Sequence, residues 1–316
     1  MTAALRRSLA GIDRYPLDEP DALIADIATF EGVSQDQIIL GEVLRDLGLY
    51  LGVSKAPGAE VLLADPGFPE VADAAARVGG VGIKIPLTAT GEHDLPAFSA
   101  AVSERTVAIF IVNPHNPTGT VVYSEDLLQF ARRESTRTLV IINEAYLDYT
   151  DDFTRRTAVG LVREGQNVAV FRTFAKAYGL GGLQIGYLVA PSELAAALRA
   201  QGIGAPRSQN LLSVAAARAA LNDQSFVSDV RAIISQERGL WEHDFHDLGL
   251  THTTARGNFV FVNVNRPHAE FAAAMASAGV LIGRHFPPWD TWVRITLGTP
   301  DENRIARRAF RAVVTG

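Results

Sequence analysis

The chain is expected to be an α/β protein, with a large domain built on a mostly parallel sheet covered by helices and a smaller α+β domain beside it. Three observations lead to this expectation. The apolar runs at 60–64, 106–112, 138–142 and 167–171 lack the polar alternation of a strand with one wet face, so both of their faces should be buried. Helical stretches separate these runs, as crossovers between parallel strands require. In the last third, helices and strands stop alternating and segregate. The division expected is a large domain over 15–221, with 1–14 and 222–316 forming the small one.

Residues 1–12 carry a helical pattern that Arg14-Tyr15-Pro16 ends. A helix over 19–31 puts Leu23, Ile24, Ile27 and Phe30 on one face, and Gly32 can cap it. A short strand at 38–40 leads through Gly41 into a helix over 42–51. Alternation then sets in: strand 60–64, helix 70–78, strand 81–87, helix 95–102, strand 106–112, helix 125–133 behind an N-cap at Ser124, strand 138–142, helix 157–164 and strand 167–171. After Gly179, Gly181 and Gly182 comes another apolar run, 185–189. Helices follow over 191–201, 211–221 and 223–248, the long one serving as connector. The rest reads as strand 258–264, helix 270–278, strands 280–282 and 292–297, and helix 302–313.

Composition narrows the function. With 316 residues, 47% of them hydrophobic, the chain can bury a large core. A net charge of −6 without basic clusters argues against a nucleic-acid partner. The absence of cysteine excludes disulfides, thiolate catalysis and cysteine-ligated metals. No apolar run reaches the about 18 residues of a membrane span, and the start lacks a long apolar signal core, so a cytoplasmic location without membrane contact is expected. No metal is expected either. His243 and His246 lie three apart on a helix with no third ligand, and His115 reads as a turn residue. Glu144 and Asp148 read as structural, Glu144 in an ion pair. Trp289 and Trp292 flank the 292–297 strand, where core packing and shaping a pocket are equally open.

Ligands of parallel sheets bind beyond the carboxyl ends of the strands. Three successive strands here end in polar residues: Asn113-Pro114-His115-Asn116-Pro117-Thr118-Gly119, Asn143-Glu144-Ala145-Tyr146, and Arg172-Thr173-Phe174-Ala175-Lys176. One such loop would be an ordinary turn. An amide, an amide with a tyrosine, and a lysine at three consecutive ends point to one shared crevice.

In NPHNPTG (113–119), NEAYLDY (143–149), TFAKAYGLGGLQIGY (173–187) and RITLGTP (294–300), the chain resembles the fold-type I aminotransferases that depend on pyridoxal phosphate. Arg14-Tyr15-Pro16 and the motif spacing look most like the histidinol-phosphate aminotransferase group, from about Arg14 to the C-terminus. The resemblance implies pyridoxal 5′-phosphate as cofactor, an amino donor and a 2-oxo acid acceptor as substrates, and a homodimer. It puts Lys176 on the Schiff-base lysine, an amine that must lose and regain protons. It puts Asn116 and Tyr146 against the cofactor's phenolic oxygen, Asn143 at its pyridine nitrogen, and Phe68 against its ring. Thr173 and Gln184 fall around the phosphate. Arg294 matches the clamp on the substrate carboxylate, Arg284 a second substrate-side arginine, and Asn258 a pocket asparagine. Tyr15 matches a tyrosine that reaches the partner subunit's cofactor.

The chain also departs from that pattern. Asn143 stands where the family has an aspartate that keeps the pyridine nitrogen protonated. Val43-Leu44-Arg45 replaces a Gly-Ser/Ala-Asp run, Ala175 a serine and Gln184 an arginine, which depletes the phosphate cup. Arg45 and the amides of its helix start are the expected substitutes. The family's N-terminal arm over the substrate is not found, so the sequence is either truncated or lidless. These departures leave a second reading open, a homologue with little cofactor or altered chemistry.

Overall fold

The computed structural model describes residues 1–55 and 57–316. Among these, one sheet contains β1 (Ile38–Leu40), β2 (Glu60–Asp65), β3 (Val81–Pro86), β4 (Thr106–Val112), β5 (Leu139–Asn143), β6 (Val168–Thr173) and β7 (Gly186–Val189). Their order is β1-β7-β6-β5-β4-β2-β3. From β3 to β6 neighbouring strands are parallel, whereas β7 and β1 add to one side antiparallel. The mostly parallel sheet is therefore present.

The unbroken apolar runs are explained by burial on both faces. In β4, Ile109 and Ile111 enter one core, while Ala108, Phe110 and Val112 enter the other. In β5, Val140 and Ile142 part from Leu139 and Ile141 in the same way. Successive side chains of a strand point to opposite faces, so two covered faces leave no position for an unpaired polar residue until the strand ends. Helices Glu19–Glu31 and Leu211–Leu221 supply Leu23, Ile27 and Val214 to the first core; Leu44–Ser54 and Glu70–Ala76 supply Leu47, Leu51, Val71 and Ala75 to the second. The latter two helices touch through bare backbone. A Cβ on Gly48 would lie 2.4 Å from the Val71 carbonyl oxygen, and one on Gly52 would lie 2.7 Å from that of Ala75.

A two-stranded antiparallel sheet, β8 (Phe259–Asn263) with β9 (Trp292–Thr296), belongs to the C-terminal part, between the long helix Gln224–Asp247 and the last helix Pro300–Thr315. Phe261 stacks against Trp289 and Trp292, at 5.6 and 5.1 Å between ring centroids, so both tryptophans pack there. No helix among the described residues is long and apolar enough to cross a membrane.

Two expectations need correction. Residues 280–282 form no strand. Leu281 is 88% exposed, and only the Gly283 N–H reaches β9, at the Arg294 carbonyl oxygen. The helix expected from residue 42 starts at Leu44. Gly41 has φ +116° and Val43 is not helical, so Glu42 is held in the connection.

Candidate active site

The parallel register brings the strand ends into line. Val112 of β4 pairs with Asn143 of β5, and Asn143 with Phe171 of β6. Strand β2 ends on the same side, and its chain then turns through Asp65-Pro66-Gly67-Phe68. Between β2 and β4 the strand order reverses, and such a switch point leaves a crevice where two connections diverge. A cavity of about 360 Å³ lies at these ends, lined among others by Phe68, Asn116, Asn143, Tyr146, Thr173, Lys176 and Gln184. Seven of the residues singled out in the sequence thus meet in one place.

The lysine follows β6 by three residues. Its turn is fixed by the Phe174 N–H on the Ile185 carbonyl oxygen, and by the Gly179 N–H on that of Lys176. Among the described residues its amine makes no hydrogen bond or ion pair, and it stands 5.8 Å from the centre of the Tyr146 ring. Burial raises the Tyr146 phenol above its usual value against the pull of Arg294, so this hydroxyl stays protonated as a donor. Phe259 of β8 meets the Tyr146 ring edge-on at 5.1 Å.

The orientation of Asn143 follows from its partner. A backbone N–H can only donate, so the 3.0 Å bond from Ala145 N must end on the Asn143 oxygen. The amide NH₂ is the end left for a ligand, and it too can only donate.

Arg294 comes from β9, across the gap between the sheets. Its Nη1 donates to Asn116 Oδ1 at 2.6 Å, its Nε is buried without a partner, and no carboxylate of the described residues pairs with it. The guanidinium lies 5.2 and 5.3 Å from the ring centres of Phe259 and Phe286. A half-buried guanidinium with no carboxylate partner is costly and suits an incoming carboxylate. Arg284 is exposed over Phe286, with Nη2 donating to the Gly67 carbonyl oxygen, so it stands beside the Phe68 turn.

Three other residues do not line the cavity. Arg45 is exposed on the first turn of Leu44–Ser54, outside the cavity lining, with its charge acting on Glu70. Asn258 precedes β8 and does not line the cavity. Tyr15 is 80% exposed. Conversely, two acids in the lining escaped the sequence reading, Glu42 and Glu70. The available signal for Glu42 was its place directly before a helix start at a strand end.

Behind the turn that carries Asn116, two buried histidines meet with ring centres 4.7 Å apart. His115 binds Thr118 Oγ1 through Nδ1, which is the turn role expected of it. His93 Nε2 must be the donor to the Val112 carbonyl oxygen, so its Nδ1 carries an unpartnered lone pair. Burial lowers the His93 pKa to about 4. A base with a depressed folded pKa adds stability that is complete above the unfolded value and is lost as pH falls through the window from 6.5 to 4. His93→Gln is therefore expected to destabilise at neutral pH, and its disadvantage against the parent should shrink by about 3 kcal/mol between pH 7 and pH 4. Denaturant melts at the two pH values check this; an unchanged difference refutes it.

A family model for aminotransferase class I and II matches residues 21–310. The chain belongs to this family. The match is broader than the motifs alone. A histidinol-phosphate aminotransferase of Moorella thermoacetica is 36% identical over 98% of this chain and 81% of its own length. One of Limosilactobacillus fermentum is 35% identical over 93% of this chain and 81% of its own. Among solved structures, the histidinol-phosphate aminotransferase of Sinorhizobium meliloti in complex with pyridoxal-5′-phosphate superposes with a TM-score of 0.87 at 27% identity, covering 99% of this chain and 86% of that one. The fold is that of the fold-type I aminotransferases.

Proposed function

We propose that the chain is a pyridoxal-phosphate-dependent aminotransferase of the histidinol-phosphate type, working as a cytoplasmic homodimer. The observation that carries this reading is the meeting of the Lys176 amine, the Tyr146 phenol and two amides in one cavity, beside the unpaired guanidinium of Arg294. The donor set suits the cofactor's ring and aldehyde: a free amine, a protonated phenol, a phenyl plate at Phe68 and an amide whose open end donates. Bound pyridoxal phosphate supplies an aldehyde that takes up amines and a ring that draws electrons from the substrate.

The rest falls to the chain. Lys176 would hold the cofactor and move a proton from the substrate's α-carbon. Tyr146 and Asn116 would hold the ring oxygen, and Asn143 the ring nitrogen. Arg294 would grip the substrate carboxylate in a bidentate fork, with Arg284 on the side of a phosphate or acidic tail and Asn258 nearby. Tyr15, being exposed, supports a reach into a partner subunit. The similarity to named histidinol-phosphate aminotransferases supports an amino-phosphate as donor and a 2-oxo acid as acceptor.

The test is spectroscopic. Protein mixed with pyridoxal phosphate is expected to show a near-visible band that shifts on adding histidinol phosphate, with glutamate formed from 2-oxoglutarate. A band that responds to no amino compound overturns the reading.

Asn143 adds a prediction of its own. A donor NH₂ matches a ring nitrogen without a proton, which draws electrons less well than a protonated one. Asn143→Asp is expected to raise turnover by about tenfold, or 1.4 kcal/mol in the barrier. Single-turnover rates check it, and a slower variant would refute this account of the ring nitrogen.

A further inference from the structure

Once Lys176, Tyr146 and Asn143 are assigned to the aldehyde and ring, one end of the cavity remains. It is lined by Glu42, Leu44, Glu70, Thr173, Ala175 and Gln184. Part of this end is built for an anion. Helix Leu44–Ser54 starts there with Val43 as N-cap, whose side chain cannot accept, so its first N–H groups and the positive end of its dipole are left open. Just after β6 the Ala175 N–H is taken by Thr173 Oγ1 at 3.0 Å, so the Thr173 hydroxyl is left to donate onward.

The Thr173 hydroxyl is already engaged. It donates to Glu42 Oε1 at 2.5 Å. That carboxylate rests on bare backbone, since a Cβ on Gly186 would come within 3.1 Å of the same oxygen. Of the ionisable groups lining the cavity, only Lys176 is a cation, whereas Glu42 and Glu70 are both acids. Crowding of protein around the Glu42 carboxyl raises its pKa, against the Thr173 hydrogen bond and the Lys176 charge; burial raises that of Glu70, against Arg45. Both acids resist a second anion beside them.

We propose that Glu42 sets the selectivity for cofactor by holding a carboxylate at the phosphate end of the pocket, so that this chain gains far less from the phosphate than from the aldehyde and ring. The inference rests on the pyridoxal-phosphate reading above. Glu42 takes the one hydroxyl that the phosphate would use and repels its charge, and capture of the phosphorylated cofactor takes up a proton at Glu42. Pyridoxal, which lacks the phosphate but shares everything else, escapes this conflict.

The test is the ratio of dissociation constants for pyridoxal and pyridoxal phosphate, measured by equilibrium dialysis on the parent chain, E42Q and E42A. Both ligands meet the same lysine, so the ratio isolates the phosphate. At pH 8 the parent should prefer pyridoxal phosphate by less than about tenfold, and E42Q should widen that preference about tenfold while leaving pyridoxal binding within about twofold. Unchanged pyridoxal binding also reports an intact pocket. The parent's preference should grow as pH falls, because Glu42, held above the ordinary carboxyl range by the protein around it, no longer repels the phosphate once neutral; in E42Q and E42A this dependence should weaken. Pyridoxal binding with a ratio that E42Q leaves unchanged or lowers overturns the role of Glu42 and leaves the proposed function standing. If neither compound binds, and borohydride reduction adds no mass to Lys176, the function falls and this inference with it.

Discussion

Lys176→Ala is expected to lower turnover by about 10³-fold or more, with the melting temperature unchanged within about 2 °C. The two halves of this expectation have different origins. The activity loss follows from an amine that reacts and carries protons, since neither task passes to a methyl group. The unchanged stability follows from the lysine's surroundings: its turn is held by the backbone bonds of Phe174, Gly179 and Leu180, and its amine makes no hydrogen bond or ion pair among the described residues. Lys176→Arg separates charge from chemistry. A guanidinium keeps the positive charge but does not deprotonate near neutral pH, so it should lose as much activity as alanine does. Steady-state rates beside thermal melts decide the matter. If the arginine variant keeps a tenth of the activity, the lysine serves as a charge only and the assignment to covalent chemistry is wrong.

The sheet and the ring end of the pocket were readable in the sequence because both depend on local pattern. A strand with two buried faces tolerates unpaired polar residues only where it stops, so Asn113, Asn143 and Thr173 mark strand ends by composition alone. Parallel pairing then brings those ends to one edge. The other end of the pocket was not readable. The run after Gly41 has helical periodicity from Glu42 onward, and only the backbone angles at Gly41 and Val43 keep Glu42 out of the helix. Its partner Thr173 lies 131 positions away, and no periodicity encodes that contact. At 280–282 the reverse happened. A Val-Leu-Ile run with strand propensity stayed irregular because it lacks a neighbour to pair with beyond the Gly283 contact. Arg172 left a signal that could have been used, since an arginine inside an apolar strand has to be paired with an acid.

Arg172→Met is expected to destabilise the protein by about 3–5 kcal/mol, a large part of the 5–15 kcal/mol that holds a typical domain together. Arg172 sits buried on β6, with Nη2 3.0 Å from Glu144 Oε2 and Nε 3.4 Å from Glu31 Oε1. It donates to Thr157 Oγ1 at 2.8 Å and lies 4.2 Å from the centre of the Phe153 ring. Glu31 ends helix Glu19–Glu31 and accepts the Tyr187 hydroxyl of β7 at 2.5 Å; Glu144 follows β5 and accepts the Ala158 N–H at 2.6 Å. One guanidinium therefore ties a helix and three strands together. It also works against an excess of acid. Burial pushes Glu144 up to about 7 and Asp148 up to about 6 even with Arg172 pulling them down, and the flanking carboxylates, opposed by burial, raise Arg172. Without the arginine these carboxyls must bind protons or unfold the site. Acids with raised folded pKa values stabilise below their unfolded values and lose that contribution as pH rises, so the variant should recover stability from pH 8 toward pH 5. Arg172→Met with Glu144→Gln should regain part of the loss at pH 8, because one unpaired charge leaves with the cation. Denaturant midpoints for the parent, the single and the double variant at both pH values test the account. A single variant within 1 kcal/mol of the parent at pH 8, by the measure of an ordinary surface change, would mean that the cluster does not hold the strands and helix together.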